Sequence, residues 1–394
     1  MRVGLITEGT YPFHIGGVST WTRTLLHGLP DASVVLIPLH NTPQPLPPSA
    51  SLPRAVKTIH PLCPPATLAP RAVADWCARV VPTIPSVDLV HTLTAGVAGQ
   101  LGRTLGQRRD RPLLVTEHAV GWQELASGHA ETETGLRPTD RGTAVKALRH
   151  LARTVYADAD MLTAVSHATH QAQKALGAAP TRCRVIPNGV RVPATPPRPA
   201  STPIRFGLVG RITPLKDILT FLRACAHVHA IHPGARFSVV GPATDPAYAA
   251  HCRAEARALG LARSLTFVGG VDDVTPWYKD FDGVVLTSRS EAQPLALLEA
   301  MSHARPIVAT DVGDCARLVH GPTDRLGVAG SICPVGDARA VGEAMLDLAA
   351  SPARRHSQGR TGWRRVRAHH RHDTMVAAYR QLYAALCPSS HITA

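Results

Sequence analysis

Short apolar runs alternate along this chain with longer segments whose apolar positions recur every three or four residues. In the first half, RVGLITE (2–8), SVVLIPL (33–39), VDLVHTL (87–93), PLLVTEH (112–118), MLTAVS (161–166) and RVIPN (184–188) read as strands. Helical periodicity falls between several of them, at 18–29, 96–107, 142–157 and 168–177. The stretch RVPATPPRPASTPIR, residues 191–205, repeats proline without apolar periodicity and predicts an extended linker. The alternation then resumes with IRFGLVG (204–210), RFSVVG (236–241), LTFVGG (265–270), GVVLTS (283–288) and PIVATD (306–311), with helices at 217–231, 246–259, 294–303 and 336–350. Buried runs alternating with helices indicate parallel strands joined by crossover helices. The expected architecture is α/β: two doubly wound, Rossmann-like domains, 1–190 and 206–372, on either side of the 191–205 linker and facing a central cleft. The last segment, 373–394, holds a helical pattern (373–387) that should pack back on the first domain.

A length of 394 residues suits two or three domains at roughly 150 each and leaves room for a cleft. The hydrophobic fraction of 44% is ordinary, so a packed core is expected. No apolar run reaches membrane-spanning length, and the opening MRVGLITEG reads as a core strand, so the expected location is cytoplasmic. Eight cysteines are scattered without a C-x-x-C pair, which favours free thiols over a zinc site or a disulfide framework. The formal charge of +14 is carried mostly by arginine. Its dense cluster, RRVRAHHRHD (364–373), lacks the interleaved aromatics of a single-strand binder, so a solvated helix face is the favoured reading. Excess positive charge also suits a polyanionic small substrate.

Carboxylates are rare inside apolar runs unless something pairs with them. SEAQPLALLEAM (290–301) carries two, Glu291 and Glu299. Pro294 suits the first position of a helix, which puts Glu291 in the preceding loop and Glu299 more than one turn inside. The N–H groups of Leu295 and Ala296 lack intrahelical partners and would face a phosphate or sugar hydroxyl. Alone, the pair reads better as helix-terminus charge, since one E-x7-E is a weak pattern. GLVGRITPLKD (207–217) adds a tight turn at Gly207 and Gly210 with Arg211 and Lys216 projecting from it. A guanidinium fork plus a lysine point charge suits a diphosphate. The turn lacks the third glycine of a dinucleotide loop.

In YPFHIGGVSTW (11–21), Gly16 and Gly17 lie between the first strand and helix and allow close backbone approach. VTEHAVG (115–121) puts Glu117 and His118 at a strand C-terminus, where α/β sheets face ligands. In IPNGV (186–190), turn chemistry alone accounts for Asn188-Gly189. Asp158-x-Asp160 and Asp280-x-Asp282 each precede a strand, where turn-forming aspartates are common; metal binding is the disfavoured alternative.

Together, GGVSTW, TEHAVG, IPNGV, GRITPLKD and SEAQPLALLEAMSHARPIVATDVGD resemble glycosyltransferase family 4, with the GT-B fold. The EGTYPF opening and the QPL tripeptide are most similar to the branch containing the Pel exopolysaccharide glucosyltransferase, though Ala119 stands where that branch usually has glycine. The resemblance implies retaining transfer of a hexosyl group from a nucleotide diphosphate sugar, without a cofactor or bound metal. The implied donor is UDP-glucose or UDP-N-acetylglucosamine ahead of GDP-mannose. The implied acceptor is a hydroxyl on a glycan or specialised metabolite. Arg211 and Lys216 would neutralise the leaving diphosphate, Glu299 would hold the ribose, and Glu291 would contact the donor sugar with Leu295 and Ala296 assisting. Gly17 would abut the phosphates, His118 the sugar's reacting face, and Gly241-Pro242 and Gly269-Gly270 the base. An epimerase or hydrolase on the same fold is the enzyme alternative. A basic nucleic-acid-binding or scaffold protein is the alternative of another class. No nucleic acid or transmembrane segment is expected as a partner or anchor, which leaves peripheral membrane contact open.

Overall fold

The computed structural model describes residues 1–9, 11–13, 16–41, 52–127, 140–196, 203–321 and 323–388. The chain divides into two compact units, one formed by Met1–Pro187 with Asp373–Ala394, the other by Asn188–His372.

In the first unit, seven parallel strands are found among the described residues: β1 (Arg2–Glu8), β2 (Ser33–Leu39), β3 (Val56–Ile59), β4 (Leu89–Thr92), β5 (Leu113–Glu117), β6 (Met161–Ala164) and β7 (Cys183–Val185). Their spatial order is β3-β2-β1-β4-β5-β6-β7. In the second unit, six parallel strands are found: β8 (Arg205–Val209), β9 (Arg236–Val240), β10 (Leu265–Gly269), β11 (Gly283–Leu286), β12 (Ile307–Thr310) and β13 (Gly330–Cys333), ordered β10-β9-β8-β11-β12-β13. Covered sheets of this kind are apolar on both faces, which explains the nearly continuous runs of β1 and β2. In each sheet the strand order reverses once, between β1 and β4 and between β8 and β11. The carboxyl ends of strands flanking such a reversal form the customary ligand crevice of an open α/β sheet.

Two strands lie outside the expected set. β3 is a half-exposed edge strand, and β13 is only four residues long. Neither carries enough apolar alternation to stand out. Several helix starts follow the chain chemistry closely. Asp245 precedes Pro246 and accepts from the Tyr248 N–H at 2.9 Å; Ser351 precedes Pro352 and accepts from the Arg354 N–H at 3.2 Å.

The last helix, His372–Leu386, packs in the first unit. Its Tyr383 hydroxyl is hydrogen-bonded to His91 Nδ1 at 2.7 Å, and its Tyr379 hydroxyl lies 3.2 and 3.3 Å from the hydroxyls of Thr116 and Thr163. A side chain at Gly28 would strike Val376 of this helix at 2.4 Å, so the helix sits directly on the turn that ends the chain's first helix, Gly17–His27. In the second unit, Val190 and Arg371 form a parallel bridge, with Val190 N–H donating to the His370 carbonyl at 2.9 Å. The two places where the chain enters and leaves that unit therefore run side by side.

The acidic pairs ahead of β6 and β11 close these sheets. Asp160 accepts from the Leu113 N–H at 2.8 Å and Asp282 from the Arg205 N–H at 2.9 Å. Asp158 is bonded to Arg103 and Gln107, and Asp280 to Arg205. All eight cysteines are free thiols. Among the described residues, no helix is long and apolar enough to cross a membrane.

Candidate active site

In the second unit the strand-order reversal brings the turn after β8 against the loop after β11. The turn begins with a close backbone crossing. Gly210 N–H donates to the Val240 carbonyl and Ile212 N–H to the Pro242 carbonyl, both at 2.9 Å. A Cβ on Gly241 would lie 2.0 Å from the Gly210 carbonyl oxygen, and its φ of +151° is a glycine conformation. Gly241 thus serves the crossing that aims the Arg211 turn. Gly270, by contrast, meets Pro242 only at ordinary contact distance.

Past Arg211, which is exposed, Pro214–Lys216 make one 3₁₀ turn and Asp217 adopts φ +45°. This strained residue is held from every side. Its carboxylate accepts from Thr220 Oγ1 at 2.9 Å and pairs with Arg289 at 3.1 Å. Thr287 Oγ1 contacts the carbonyls of Lys216 and Asp217, and Arg289 N–H donates to the Leu215 carbonyl at 2.8 Å. The lysine is therefore carried on backbone clamped to the end of β11.

Lys216 Nζ donates to Glu291 Oε1, which also accepts from Ser288 Oγ at 2.6 Å. Lys216 and Glu291 thus form an ion pair that is largely sheltered from solvent, and the Lys216 stem passes Gly210, the residue before Arg211. Opposite charge and a hydroxyl donor hold the Glu291 carboxylate in place with part of its capacity still open.

The backbone of this loop is pinned as firmly. A Cβ on Gly313 would meet the Glu291 carbonyl oxygen at 2.1 Å, and Asp314 N–H donates to the Ala292 carbonyl at 2.9 Å. Buried Gln293 accepts from the Asn188 N–H at 2.7 Å and offers its carbonyl to Asn188 Nδ2 at 2.9 Å. Pro294 then caps the eight-residue helix Leu295–Ser302 rather than opening it, with φ −70° and ψ 117°. Its carbonyl accepts from the N–H groups of Leu297 and Leu298, so those of Leu295 and Ala296 are the leading donors at the helix tip.

Glu299 lies part-buried on that helix. Its Oε2 accepts from the Tyr278 hydroxyl at 2.9 Å, and burial lifts its pKa from 4.5 to about 7. Tyr278 belongs to the short helix Thr275–Asp280 ahead of β11.

The first unit holds the remaining candidates. Gly16 is the extended cap of the helix Gly17–His27, and Gly17 is exposed at its first position. Trp21 of that helix is buried and meets the His118 ring edge-on at 4.4 Å between centroids. Burial lowers the His118 pKa to about 3, so its imidazole is neutral. Its buried Nε2 has no hydrogen-bond partner among the described residues, which leaves a polar atom to be satisfied by a ligand or water. The adjacent Glu117 is turned inward, where Tyr156 and Gln173 donate to its Oε2.

Asn188, Gln293, Asp217, Ser288 and Tyr278 were absent from the candidates read from sequence. Asn188 was visible in its asparagine-glycine turn. Its role depends on contact with Gln293, far away in sequence, which no local pattern reveals.

Models of two families match the chain: Glycosyltransferase Family 4 over residues 15–192 and Glycosyl transferases group 1 over residues 203–351. The chain belongs to the family 4 glycosyltransferases. Among family 4 relatives, it is 30% identical over 317 residues to a D-inositol 3-phosphate glycosyltransferase of Geodermatophilus obscurus, covering 74% of this chain and 66% of that protein. It is 30% identical over 182 residues to the lipopolysaccharide core biosynthesis mannosyltransferase LpcC of Rhizobium leguminosarum, covering 46% of this chain and 50% of the relative. Its matches thus span about half to two thirds of such relatives. The fold is that of GT-B structures. Sucrose-phosphate synthase of Thermosynechococcus elongatus superposes with a TM-score of 0.77 at 22% identity, covering 99% of this chain and all of that one. Anabaena HepE in complex with UDP-glucose gives a TM-score of 0.75 at 16% identity over 98% of this chain and all of that one.

Proposed function

We propose that this chain is a metal-independent, retaining hexosyltransferase that takes its sugar from a UDP-linked donor, UDP-glucose or UDP-N-acetylglucosamine ahead of GDP-mannose. The observation that carries this reading is the corner of the second unit where Arg211, the Lys216–Glu291 pair and the leading helix N–H groups project from mutually clamped loops. Names of family members and fold neighbours agree with it in kind, including a mannosyltransferase and a structure holding UDP-glucose.

When the anomeric C–O bond breaks, negative charge gathers on the departing diphosphate and positive charge on the sugar. Lys216 and Arg211 meet the first charge. Glu291, already shared with Lys216 and Ser288, faces the donor sugar, and the Leu295 and Ala296 N–H groups assist. Glu299 accepts from the ribose hydroxyls. Within the first unit, neutral His118 keeps an unpaired Nε2 that a sugar hydroxyl would satisfy. The acceptor hydroxyl forms its bond to the anomeric carbon on the face the diphosphate leaves, and its proton passes to a phosphate oxygen. This route needs neither a side-chain nucleophile nor a metal. The acceptor is a glycan or a hydroxylated metabolite.

Thermal-shift measurements with UDP, GDP, ADP and their sugars test the reading. UDP and its glucose or N-acetylglucosamine conjugates should raise the melting point more than the other nucleotides. Protection by none of them would contradict it. Donor breakdown without any acceptor would favour a hydrolase or epimerase. Salt-sensitive DNA retention without nucleotide protection would favour a nucleic-acid binder.

A further inference from the structure

We propose that Tyr278 is a positioning residue for nucleotide binding: its hydroxyl occupies one oxygen of Glu299 and fixes the carboxylate so that the other oxygen is presented to a vicinal diol. This rests on the reading of Glu299 as the group that holds the ribose.

Three contacts make the arrangement rigid. The Tyr278 hydroxyl donates to Glu299 Oε2 at 2.9 Å. The Tyr278 ring stacks on His303, with centroids 5.7 Å apart and planes 18° from parallel. His303 in turn lies 2.9 Å through Nδ1 from the main-chain carbonyl of Glu299 itself. Tyrosine, histidine and glutamate thus form a closed triangle between the helix ahead of β11 and the helix Leu295–Ser302. Tyr278 is wholly buried, whereas Glu299 keeps an accessible edge. Among the described residues, Glu299 receives its one side-chain hydrogen bond from Tyr278. A carboxylate has about four acceptor sites, so most of its capacity remains for a ligand.

The triangle also controls ionisation. Burial raises the Glu299 pKa to about 7, and the tyrosine hydrogen bond opposes that rise. Of the titratable groups nearby, His303 has its pKa lowered by burial, against the opposing hydrogen bond to the Glu299 carbonyl, and it feels Arg305, Lys279 and Asp273. Burial and Tyr278 govern the Glu299 carboxyl. A ribose diol donates two hydrogen bonds and therefore prefers the deprotonated form. Removing the tyrosine donor raises the pKa further, so the full-affinity form appears only at higher pH.

The test is calorimetric titration of the full chain with UDP between pH 5.5 and 8.5. Each variant is expressed as a ratio to wild type, which cancels the nucleotide's own titration. Tyr278→Phe keeps the ring on His303 and deletes the donor. The Kd for UDP should rise about 5- to 10-fold at pH 7 and by clearly less at pH 8.5, where Glu299 is ionised in both proteins and only the loss of its fixed orientation remains, about one pH unit of displacement. A merely structural role would weaken binding equally at all pH values or leave it unchanged, and either result overturns the proposal. A second variant places 3-fluorotyrosine at position 278. Its more acidic hydroxyl is a stronger donor, so the dependence should move to lower pH; movement in the opposite direction, or none, also overturns the proposal. Glu299→Ala separates the two levels. If it binds UDP like wild type, the ribose reading has failed. If it loses UDP while Tyr278→Phe does not respond, the tyrosine inference alone has failed.

Discussion

Glu117 in the first unit and Glu299 in the second invite comparison. Both are pushed by burial to a pKa of about 7, and both accept from a tyrosine hydroxyl. Their surroundings then diverge. Glu117 is also bonded by Gln173 and lies only 3% exposed at the carboxyl end of β5. Glu299 stops at one donor and keeps an open edge on a helix whose tip carries leading N–H groups. A perturbed pKa therefore accompanies two different settings in one chain: a buried carboxyl that knits helices to a sheet, and one that keeps an accessible edge, to which the proposed function gives a ligand. Geometry separates them.

The largest effect expected from breaking the contrast falls on the open side. Lys216→Ala removes the cation next to Glu291 and should lower kcat by about 10²–10³, or about 2.7–4 kcal/mol, in steady-state assays of sugar transfer. An unaltered rate would remove Lys216 from that role. On the closed side, Glu117→Gln should act on stability and its pH dependence instead. The folded carboxyl holds its proton up to about pH 7, the unfolded one to about 4.5. Wild-type stability should therefore fall as pH rises between these values and level off above them. Glu117→Gln should lack this contribution, a difference of about 3 kcal/mol across the window in urea unfolding. Matching pH slopes in the two proteins would contradict the burial argument.

A smaller effect is expected at Asn188. Asn188→Ala deletes the side-chain bond to the Gln293 carbonyl and should cost about 0.5–1.5 kcal/mol of stability. Because that bond steadies the Glu291 loop, kcat/KM for the donor should fall as well; a stability loss with unchanged kcat/KM would confine Asn188 to the fold. The smallest effect should come from Trp21→Phe, which retains an aromatic edge for His118 and should alter donor KM by less than about threefold, the ~0.6 kcal/mol low end of an aromatic pair.

Much of the fold was legible because parallel strands buried on both faces write themselves as apolar runs. β3 (VKTI) and β13 (GSIC) escaped because polar and small residues interrupt them, whereas the equally short β4, β11 and β12 lie within apolar runs. At the candidate site, Arg211, Lys216 and Glu291 stand out as charges beside glycine or proline turns, and Glu299 as a carboxylate inside an apolar helix. Their pairing was not legible: the Lys216–Glu291 bond joins positions 75 residues apart. Gly241 was noticed for a ligand contact, whereas its absent side chain admits the Gly210 backbone. The contacts of Tyr278 and Asn188 are not legible in the sequence for one reason, since each depends on a partner that the fold brings near from far along the chain.

The most direct test of the central claim is UDP titration of wild type, Lys216→Ala and Glu117→Gln under one condition, pH 7.5. The account predicts that Lys216→Ala loses at least tenfold in affinity, about 1.4 kcal/mol, while Glu117→Gln binds UDP like wild type. Equal affinity in wild type and Lys216→Ala would contradict it.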